Sequence, residues 1–346
     1  MGSSPTRQRL RALPKAELHV HLDGSLRPAT MLELARERGV RLPADDVEHL
    51  TSYMVVREGR SLPEYLDRFE VTLSIMQDAP ALERIAYELA LDHADENVRW
   101  LEVRFCPALS TKGELSSDEV VEAIVRGLRR AESERPIRAA LIVCTLRTFE
   151  PRRSVELAEL ALAYHGAGVC GFDIAGAEEG HPVREHGEAF RVAHEAGLPI
   201  TIHAGEAFGP SSIRQALEIG HAVRIGHGTR LREDEGLLET VRRRRIPLEV
   251  CLTSNVQTGA VEGLGRHPAL RYHRAGVPVA LCTDNRLMSG VTLVEEYDKA
   301  HGTLGFTWPE LTEVARTGFR HAFVPEAERW ELLRAFEDQV TRLPAD

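Results

Sequence analysis

Residues 17–24 read Glu17-Leu18-His19-Val20-His21-Leu22-Asp23-Gly24 and combine a β-strand pattern with side chains that carry chemistry. Side chains on a strand alternate between its two faces, so His19 and His21 point to the same face. Seven other short apolar runs follow along the chain, and helical patterns separate them. The eight predicted strands are Glu17–His21, Trp100–Phe105, Ala139–Thr145, Val169–Ile174, Pro199–His203, Ala222–Ile225, Leu248–Cys251 and Val277–Cys282.

The alternation of strands and helices predicts the fold. Continuous apolar strands joined by helices are typical of a parallel sheet that is covered on its outside, and eight such units are typical of a closed barrel. We therefore predict an α/β protein built as a (β/α)8 TIM barrel over about 13–320, with C-terminal helices over about 306–342. No repeat, low-complexity tract or linker divides the chain, which predicts a single domain over residues 1–346.

The segment between the first two predicted strands has roughly eighty residues more than one crossover helix needs. We expect extra helices there, including a lid. Ser61-Leu62-Pro63 has the pattern of a helix start, in which Ser caps and Pro occupies the first turn. The residues Leu62, Tyr65, Leu66 and Phe69 then follow helical spacing. This apolar face belongs either to a lid over a ligand or to a helix packed in the ordinary core.

The composition disfavours several classes of partner. A formal net charge of -10 at pH 7 repels nucleic acid and anionic membranes, and 43% hydrophobic residues suffice for a large core. No stretch is apolar and long enough for a membrane span or a secretory signal. The five cysteines lie mostly in apolar runs and are typical of buried, reduced thiols. We expect a cytoplasmic protein that binds a small molecule; the sequence indicates no oligomeric state.

The ends of four predicted strands carry histidine or aspartate. They are the first, fifth, sixth and eighth strands, and the sixth ends in Gly226-His227-Gly228. Active sites of barrels lie at the C-terminal ends of the strands, so these side chains are expected to meet. A lone histidine is usually an ordinary surface or core residue, but the coincidence at four strand ends favours a shared site. Three imidazoles and one carboxylate, with a water completing the shell, suit catalytic zinc better than iron or manganese. The predicted ligands are His19, His21, His203 and Asp284.

Two further groups are predicted to act beside the metal. Glu206 follows His203 by three residues, and a carboxyl buried there stays protonated and acts as a general acid. The simpler interpretation is an acid that stabilises a helix N-terminus. His227 would orient or polarise the water, while Asp284 serves both as ligand and as acceptor of the water's proton. The fourth strand lacks the lysine that bridges two ions in related barrels, so we expect one Zn²⁺.

Five segments, taken in this order, resemble the adenosine deaminase family, and the resemblance extends over roughly residues 13–336. They are residues 18–25 (LHVHLDGS), 172–178 (FDIAGAE), 202–206 (IHAGE), 224–228 (RIGHG) and 282–285 (CTDN). The resemblance implies deamination of adenosine and 2′-deoxyadenosine, with Glu206 giving a proton to purine N1 as water activated by the zinc attacks C6. It also implies that His21 and Asp23 meet the ribose 5′ side and that the Gly176 backbone N–H binds N3.

Asn285 departs from the best-known family pattern, which has a second aspartate at this position in contact with N7. An amide NH2 donates to N7 without needing a raised pKa, so Asn285 can make the same hydrogen bond. The departure leaves open a 5′-modified substrate such as 6-amino-6-deoxyfutalosine, for whose carboxylate Arg57, Arg60 and Arg68 are candidates. The sequence also leaves open a metal hydrolase of amides or esters and an inactive relative that acts as a binding protein.

Overall fold

The structure is a computed structural model that describes residues 7–56 and 68–343. Eight parallel strands form two ladders, with the orders β1-β2-β3-β4 and β5-β6-β7-β8. The strands are β1 (Lys15–His21), β2 (Val98–Phe105), β3 (Arg138–Leu146), β4 (Val169–Ala175), β5 (Thr201–Ala204), β6 (Arg224–His227), β7 (Leu248–Val250) and β8 (Val279–Leu281). Each overlaps one of the eight predicted strands.

Two single bridges join the ladders into a closed barrel. Phe172 of β4 pairs with Ile200 just before β5, and Val20 of β1 pairs with Asp284 just after β8. Backbone hydrogen bonds accompany the second bridge, since His21 N donates to Asp284 O at 2.7 Å and Asp284 N donates to His19 O at 2.8 Å. The predicted (β/α)8 barrel is therefore confirmed, and its closure sets Asp284 beside β1.

The predicted bounds of the sixth strand begin two residues too early. Ala222 N bonds back to Ala216 O, and the strand begins at Arg224 and continues to His227. The apolar run at 222–225 marks burial rather than strand pairing, but the expectation that His227 lies at the end of this strand is correct. In the structure His227 is the last residue of β6.

Helices cover the outside of the barrel. In chain order they are α1 (Arg7–Ala12), α2 (Pro28–Arg38), α3 (Val47–Met54), α4 (Phe69–Leu73), α5 (Ala79–Asp95), α6 (Ser117–Glu134), α7 (Pro151–Ala163), α8 (Gly187–Glu195), α9 (Pro210–Glu218), α10 (Glu235–Arg244), α11 (Leu252–Gln257), α12 (Ala269–Arg274), α13 (Arg286–Ser289), α14 (Leu293–Gly302), α15 (Trp308–Arg320) and α16 (Glu326–Val340). None in the described part is long and apolar enough to cross a membrane.

The extra helices lie where the sequence predicts them. Helices α2 to α5 occupy the long segment between β1 and β2, while α15 and α16 form the predicted C-terminal pair. Local sequence sets the starts of several helices. Helices α6, α14 and α15 each begin with a reciprocal capping box, in which a Ser or Thr side chain and a Glu three residues later bond each other's backbone N–H groups.

All five cysteines are buried and free, as expected from the apolar runs around them.

Candidate metal centre and active site

Barrel closure brings four predicted ligands together at the C-terminal ends of the strands. His19 and His21 come from β1, His203 comes from β5, and Asp284 follows β8. One ligand atom from each of these residues lies within 4.8 Å of all the others. The group is therefore spaced to hold one metal ion.

The ring nitrogens in this group have the environment of metal ligands. His21 Nε2 and His203 Nε2 are 3.1 Å apart, and both lie in the same group as Asp284. His19 Nε2 is buried, has no hydrogen-bond partner among the described residues, and lies 3.5 Å from Asp284 Oδ1. A buried nitrogen without a partner is costly unless a ligand satisfies it, so the donor set fits a metal ion.

Two buried carboxylates fix the outer nitrogens of the histidines. His19 Nδ1 donates to Glu249 Oε2 at 2.8 Å, and His203 Nδ1 donates to Asp173 Oδ2 at 3.0 Å. With the proton held at Nδ1, each Nε2 presents its lone pair to the centre of the site. This carboxylate–histidine arrangement is typical of metal sites, where it sets the tautomer and raises the basicity of the ligand.

Arg104 joins these two carboxylates inside the barrel. Its guanidinium donates to Asp173 Oδ2 at 2.6 Å and to Glu249 Oε2 at 2.9 Å, and all three side chains are fully buried. Burial by itself raises a carboxyl pKa, but for Glu249 the charges of Arg104 and Arg224 reverse the effect and hold the pKa well below its usual value. Both carboxylates therefore stay ionised and keep accepting from the histidines.

Glu206, His227 and Asp284 form a second group at the same rim. Glu206 Oε2 lies 3.6 Å from His227 Nε2. Burial, followed by the charges of Asp284 and Glu178, raises the pKa of the Glu206 carboxyl well above its usual range. A raised pKa lets a carboxyl group keep its proton at higher pH, as a general acid must.

The loop that carries Glu206 is held by Glu178, a carboxylate for which the sequence alone predicts no role. The Glu178 side chain accepts hydrogen bonds from four successive backbone N–H groups at 2.6 to 3.0 Å, those of Gly205, Glu206, Ala207 and Phe208. Glu178 is 5% exposed. The loop after β5 is therefore fixed from behind, which limits how far the Glu206 carboxyl can move.

The backbone adopts the left-handed conformation at two residues of the active site. His227 has φ 63° and Asp284 has φ 62°, values that side chains with a Cβ rarely adopt. Gly226 precedes His227, and a Cβ there would lie 2.9 Å from His19 Cε1. The glycine therefore lets the histidine rings approach closely, and the two bends indicate a functional site.

A cavity of about 340 Å³ lies beside the metal group. Four residues predicted to bind substrate line it, namely His21, Asp23, Phe69 and Gly176. Burial raises the pKa of Asp23 to about 7, and Asp23 Oδ1 has no partner among the described residues. Gly176 has φ 96°, so a residue with a side chain would be strained there. Glu206, His227 and Asn285 do not line this cavity.

Asn285 directly follows the predicted ligand Asp284 and packs against Gly24. Its side chain covers Gly24, where a Cβ would be 1.7 Å from Asn285 Oδ1, so only glycine fits at that position. The Asn285 side chain is buried, and its Oδ1 has no partner among residues 7–56 and 68–343.

Most of the predicted lid falls outside the described residues. This holds for Leu62, Tyr65 and Leu66, and for Arg57 and Arg60. Phe69 is the first residue of α4, and its ring centroid is 6.5 Å from that of His21. The Arg68 guanidinium lies 4.4 Å from the centre of the Tyr53 ring.

Sequence reasoning missed most of the residues that support the site. Asp173, Glu249 and Arg104 stand inside predicted apolar strands, where a charged residue is itself a signal. Ser254, whose Oγ donates to Asp284 Oδ2 at 2.5 Å, and Asn255 follow β7 and carried no recognised motif. A search for charges within buried strands would have found the first three.

An eight-stranded barrel with this histidine–aspartate group at its rim defines a hydrolase of the amidohydrolase class. Residues 14–339 match the family described as adenosine deaminase, and the chain belongs to this family. It is 40% identical to an adenosine deaminase of Mycobacterium tuberculosis, and the match covers 96% of each chain. It is also 40% identical to a probable adenosine deaminase of Dictyostelium discoideum, where the match covers 91% of this chain and 41% of the relative.

Solved structures agree with this assignment. An amidohydrolase from Burkholderia ambifaria with bound Zn has a TM-score of 0.88 and 25% identity, covering 100% of this chain and 96% of the other. The N6-mAMP deaminase of Arabidopsis has a TM-score of 0.86 and 31% identity, covering 96% and 99%. The protein is a deaminase, and these neighbours leave the choice among adenine-containing substrates to its own pocket.

Proposed function

We propose that this protein catalyses the zinc-dependent hydrolytic deamination of adenosine and 2′-deoxyadenosine to inosine and 2′-deoxyinosine, with release of ammonia, as in purine salvage. The observation that carries the proposal is the position of Glu206, whose carboxyl lies 3.6 Å from His227 Nε2 beside four residues suited to one ion. Family membership and the mycobacterial relative support the same reaction.

One zinc ion is assigned to His19, His21, His203 and Asp284. The unpartnered His19 Nε2 and the nitrogen-rich donor set support this assignment. Residues 171–176, at the end of β4, contain no lysine that would bridge a second ion. Bound zinc supplies the Lewis acidity that makes water nucleophilic near neutral pH.

The protein's own groups then move the protons. Glu206, protonated because it is buried among negative charges, gives its proton to purine N1 and makes C6 more electrophilic. Water adds to C6, and Asp284 is placed to accept the proton that the water loses. The proton held by Asp284 passes to the amino group, the C6–N6 bond breaks and ammonia leaves. The C6 hydroxyl gives its proton to Glu206, so inosine remains and both carboxyl groups return to their starting states.

Four cavity residues and Asn285, which does not line the cavity, are proposed to contact the nucleoside. The Gly176 N–H is assigned to N3, Asn285 to N7, and His21 and Asp23 to the 5′ side of the ribose. Phe69 adds an apolar wall. Leu62, Tyr65 and Leu66, which lie outside the described residues, are proposed as further apolar contacts. The location of His21, Asp23, Phe69 and Gly176 around one cavity supports the assignments of these four residues. The assignment of Asn285 to N7 rests on the family resemblance.

A substrate panel tests the proposal. Zinc-loaded protein is incubated with adenosine, 2′-deoxyadenosine, adenine, N6-methyl-AMP and 5′-substituted adenosines, and both the absorbance change and the ammonia released are measured. We expect the highest kcat/KM for the two unmodified nucleosides. Absence of adenosine turnover by protein that contains one zinc per chain would contradict the proposal.

A nucleoside with an anionic 5′ substituent is the second candidate. Lys112, one of the three lysines of the chain, lines the same cavity as Asp23, a residue assigned to the 5′ group. A cation at that place favours a phosphate or a carboxylate such as that of 6-amino-6-deoxyfutalosine. A much higher kcat/KM for such a substrate in the same panel would favour this candidate.

A further inference from the structure

His227 differs from the predicted ligand histidines in the group that holds its outer nitrogen. His19 Nδ1 and His203 Nδ1 face carboxylates, whereas His227 Nδ1 faces the Asn255 amide, whose Nδ2 is 2.9 Å away. His227 is 1% exposed and Asn255 is fully buried, so water does not compete for this contact. The proton position on His227 therefore depends on the orientation of one amide.

His267 fixes that orientation. Its Nδ1 accepts a hydrogen bond from the backbone N–H of Ala269 at 3.1 Å, so Nδ1 carries no proton. Burial, together with the charge of Arg232, lowers the pKa of His267 to about 3, and the ring is neutral. Its single proton is then on Nε2, which lies 3.1 Å from Asn255 Oδ1. Since this nitrogen donates, the Asn255 atom that it meets is the oxygen.

Thr229 strengthens the same arrangement. Its hydroxyl donates to Asn255 Oδ1 at 3.1 Å, so this oxygen accepts two hydrogen bonds. The Asn255 NH2 group is therefore turned towards His227, to whose Nδ1 it donates. A nitrogen that accepts carries no proton, which leaves the His227 proton on Nε2, the atom 3.6 Å from Glu206 Oε2.

We propose that Asn255 and His267 are positioning residues that hold His227 as the Nε2–H tautomer, so that His227 donates a hydrogen bond to the attacking water and neither ligates the metal nor acts as the base. The inference rests on the proposed function for its catalytic meaning. It also explains why the histidines at one rim divide into ligands and a donor: carboxylates behind His19 and His203 expose lone pairs, whereas an amide behind His227 exposes a proton.

The isosteric change Asn255→Asp tests the inference directly. A carboxylate still accepts from His267 and Thr229, but it can only accept from His227 and therefore draws the proton to Nδ1. In ¹⁵N NMR of histidine-labelled protein, we expect the His227 Nδ1 signal to change from unprotonated to protonated. We also expect kcat to fall by about two orders of magnitude, as for loss of one oriented donor, with little change in KM.

Gln257→Glu is the matched control. It makes the same amide-to-carboxylate change on the same helix, but the Gln257 amide bonds Val56 O and Ser289 O rather than a histidine. The His227 signals should stay as in the wild type. An Asn255→Asp protein that keeps the His227 proton on Nε2, or that keeps wild-type kcat, would overturn the inference.

Changes at His267 give a second, independent measurement. His267→Leu removes a donor to Asn255 Oδ1 and should mix the two His227 tautomers, whereas His267→Gln can still donate and should restore the Nε2–H signal. Equal His227 spectra in the two variants would contradict the proposed relay, which is the chain of hydrogen bonds from His267 through Asn255 to His227. The spectra need no substrate, so failure of the relay is distinguishable from failure of the proposed deamination, which only the substrate panel measures.

Discussion

The metal side of the site, defined as His19, His21, His203 and Asp284, is built differently from its nucleoside side, which comprises Asp23, Gly176 and Asn285. On the metal side, charged groups of the barrel interior hold the rings of His19 and His203 from behind. On the nucleoside side, the buried oxygens Asp23 Oδ1 and Asn285 Oδ1 have no partner in the described part of the chain. The barrel thus orients the metal-side histidines from behind, whereas no group in the described part of the chain holds these two oxygens.

The largest effect that distinguishes the two sides is expected for Asp284→Ala. Loss of this ligand should remove zinc, and with it about three or more orders of magnitude in kcat, because a catalytic ion supplies several kcal/mol. The hydrogen bonds that close the barrel at Asp284 come from its backbone and remain available to alanine. Metal analysis of the purified variant checks the first part. Full zinc content in the variant would show that Asp284 is dispensable as a ligand.

Glu206→Gln should leave the metal in place and still reduce kcat by about two to four orders of magnitude, the usual range for loss of a general acid. Wild-type activity should fall as the pH rises through the raised pKa of Glu206, and this alkaline limb should be absent in the variant. Glu233→Gln, a neutralised acid in the segment after β6, is the control and should retain activity. Near-normal turnover by Glu206→Gln would remove Glu206 from the mechanism.

Asp173→Asn tests whether the carboxylates behind the histidines matter for the metal. The amide of the variant carries no negative charge and therefore accepts the hydrogen bond from His203 Nδ1–H more weakly. We expect zinc affinity to fall about 10- to 100-fold. Glu102→Gln is the matched control, since Glu102 is equally buried in the barrel but bonds Arg224, Trp100 and Phe323 instead of a histidine. Competition with a chelator measures both. Equal affinities would mean that barrel charges serve folding alone.

The smallest effect is expected on the nucleoside side. Asn285→Leu removes the donor proposed for N7, and a net hydrogen bond corresponds to a change of up to about tenfold in kcat/KM. Wild-type protein should discriminate against 7-deazaadenosine, which lacks this acceptor, and Asn285→Leu should treat it like adenosine. If the variant still discriminates as the wild type does, another residue recognises N7.

Local sequence contained enough information for the barrel and for the order of its chemical groups. Apolar runs about the length of a strand recur eight times with helical patterns between them, and a barrel places the strand ends at one rim. His19, His21, His203 and Asp284 could be predicted to meet because each lies at or just after such an end. The bounds of β6 were wrong because apolarity reports burial and not hydrogen-bond pairing.

The partners behind these groups could not be predicted in the same way. Glu249 is 230 residues from His19 in the chain, and Asp173 is 30 residues from His203. Nothing local in either segment indicates which carboxylate meets which ring. The relay of hydrogen bonds from Ala269 through His267 and Asn255 to His227 could not be predicted from the sequence either. Its direction depends on which atoms face each other in the folded chain.

The sequence by itself determined the class of fold, the kinds of ligand and their place at the strand ends, because periodicity and residue type are local properties. Only the tertiary structure decided which nitrogen of each histidine faces the metal side and which group supports it, because those roles depend on contacts between distant strands. It also decided that Glu206 is buried among negative charges, the physical reason that a carboxyl group there holds its proton.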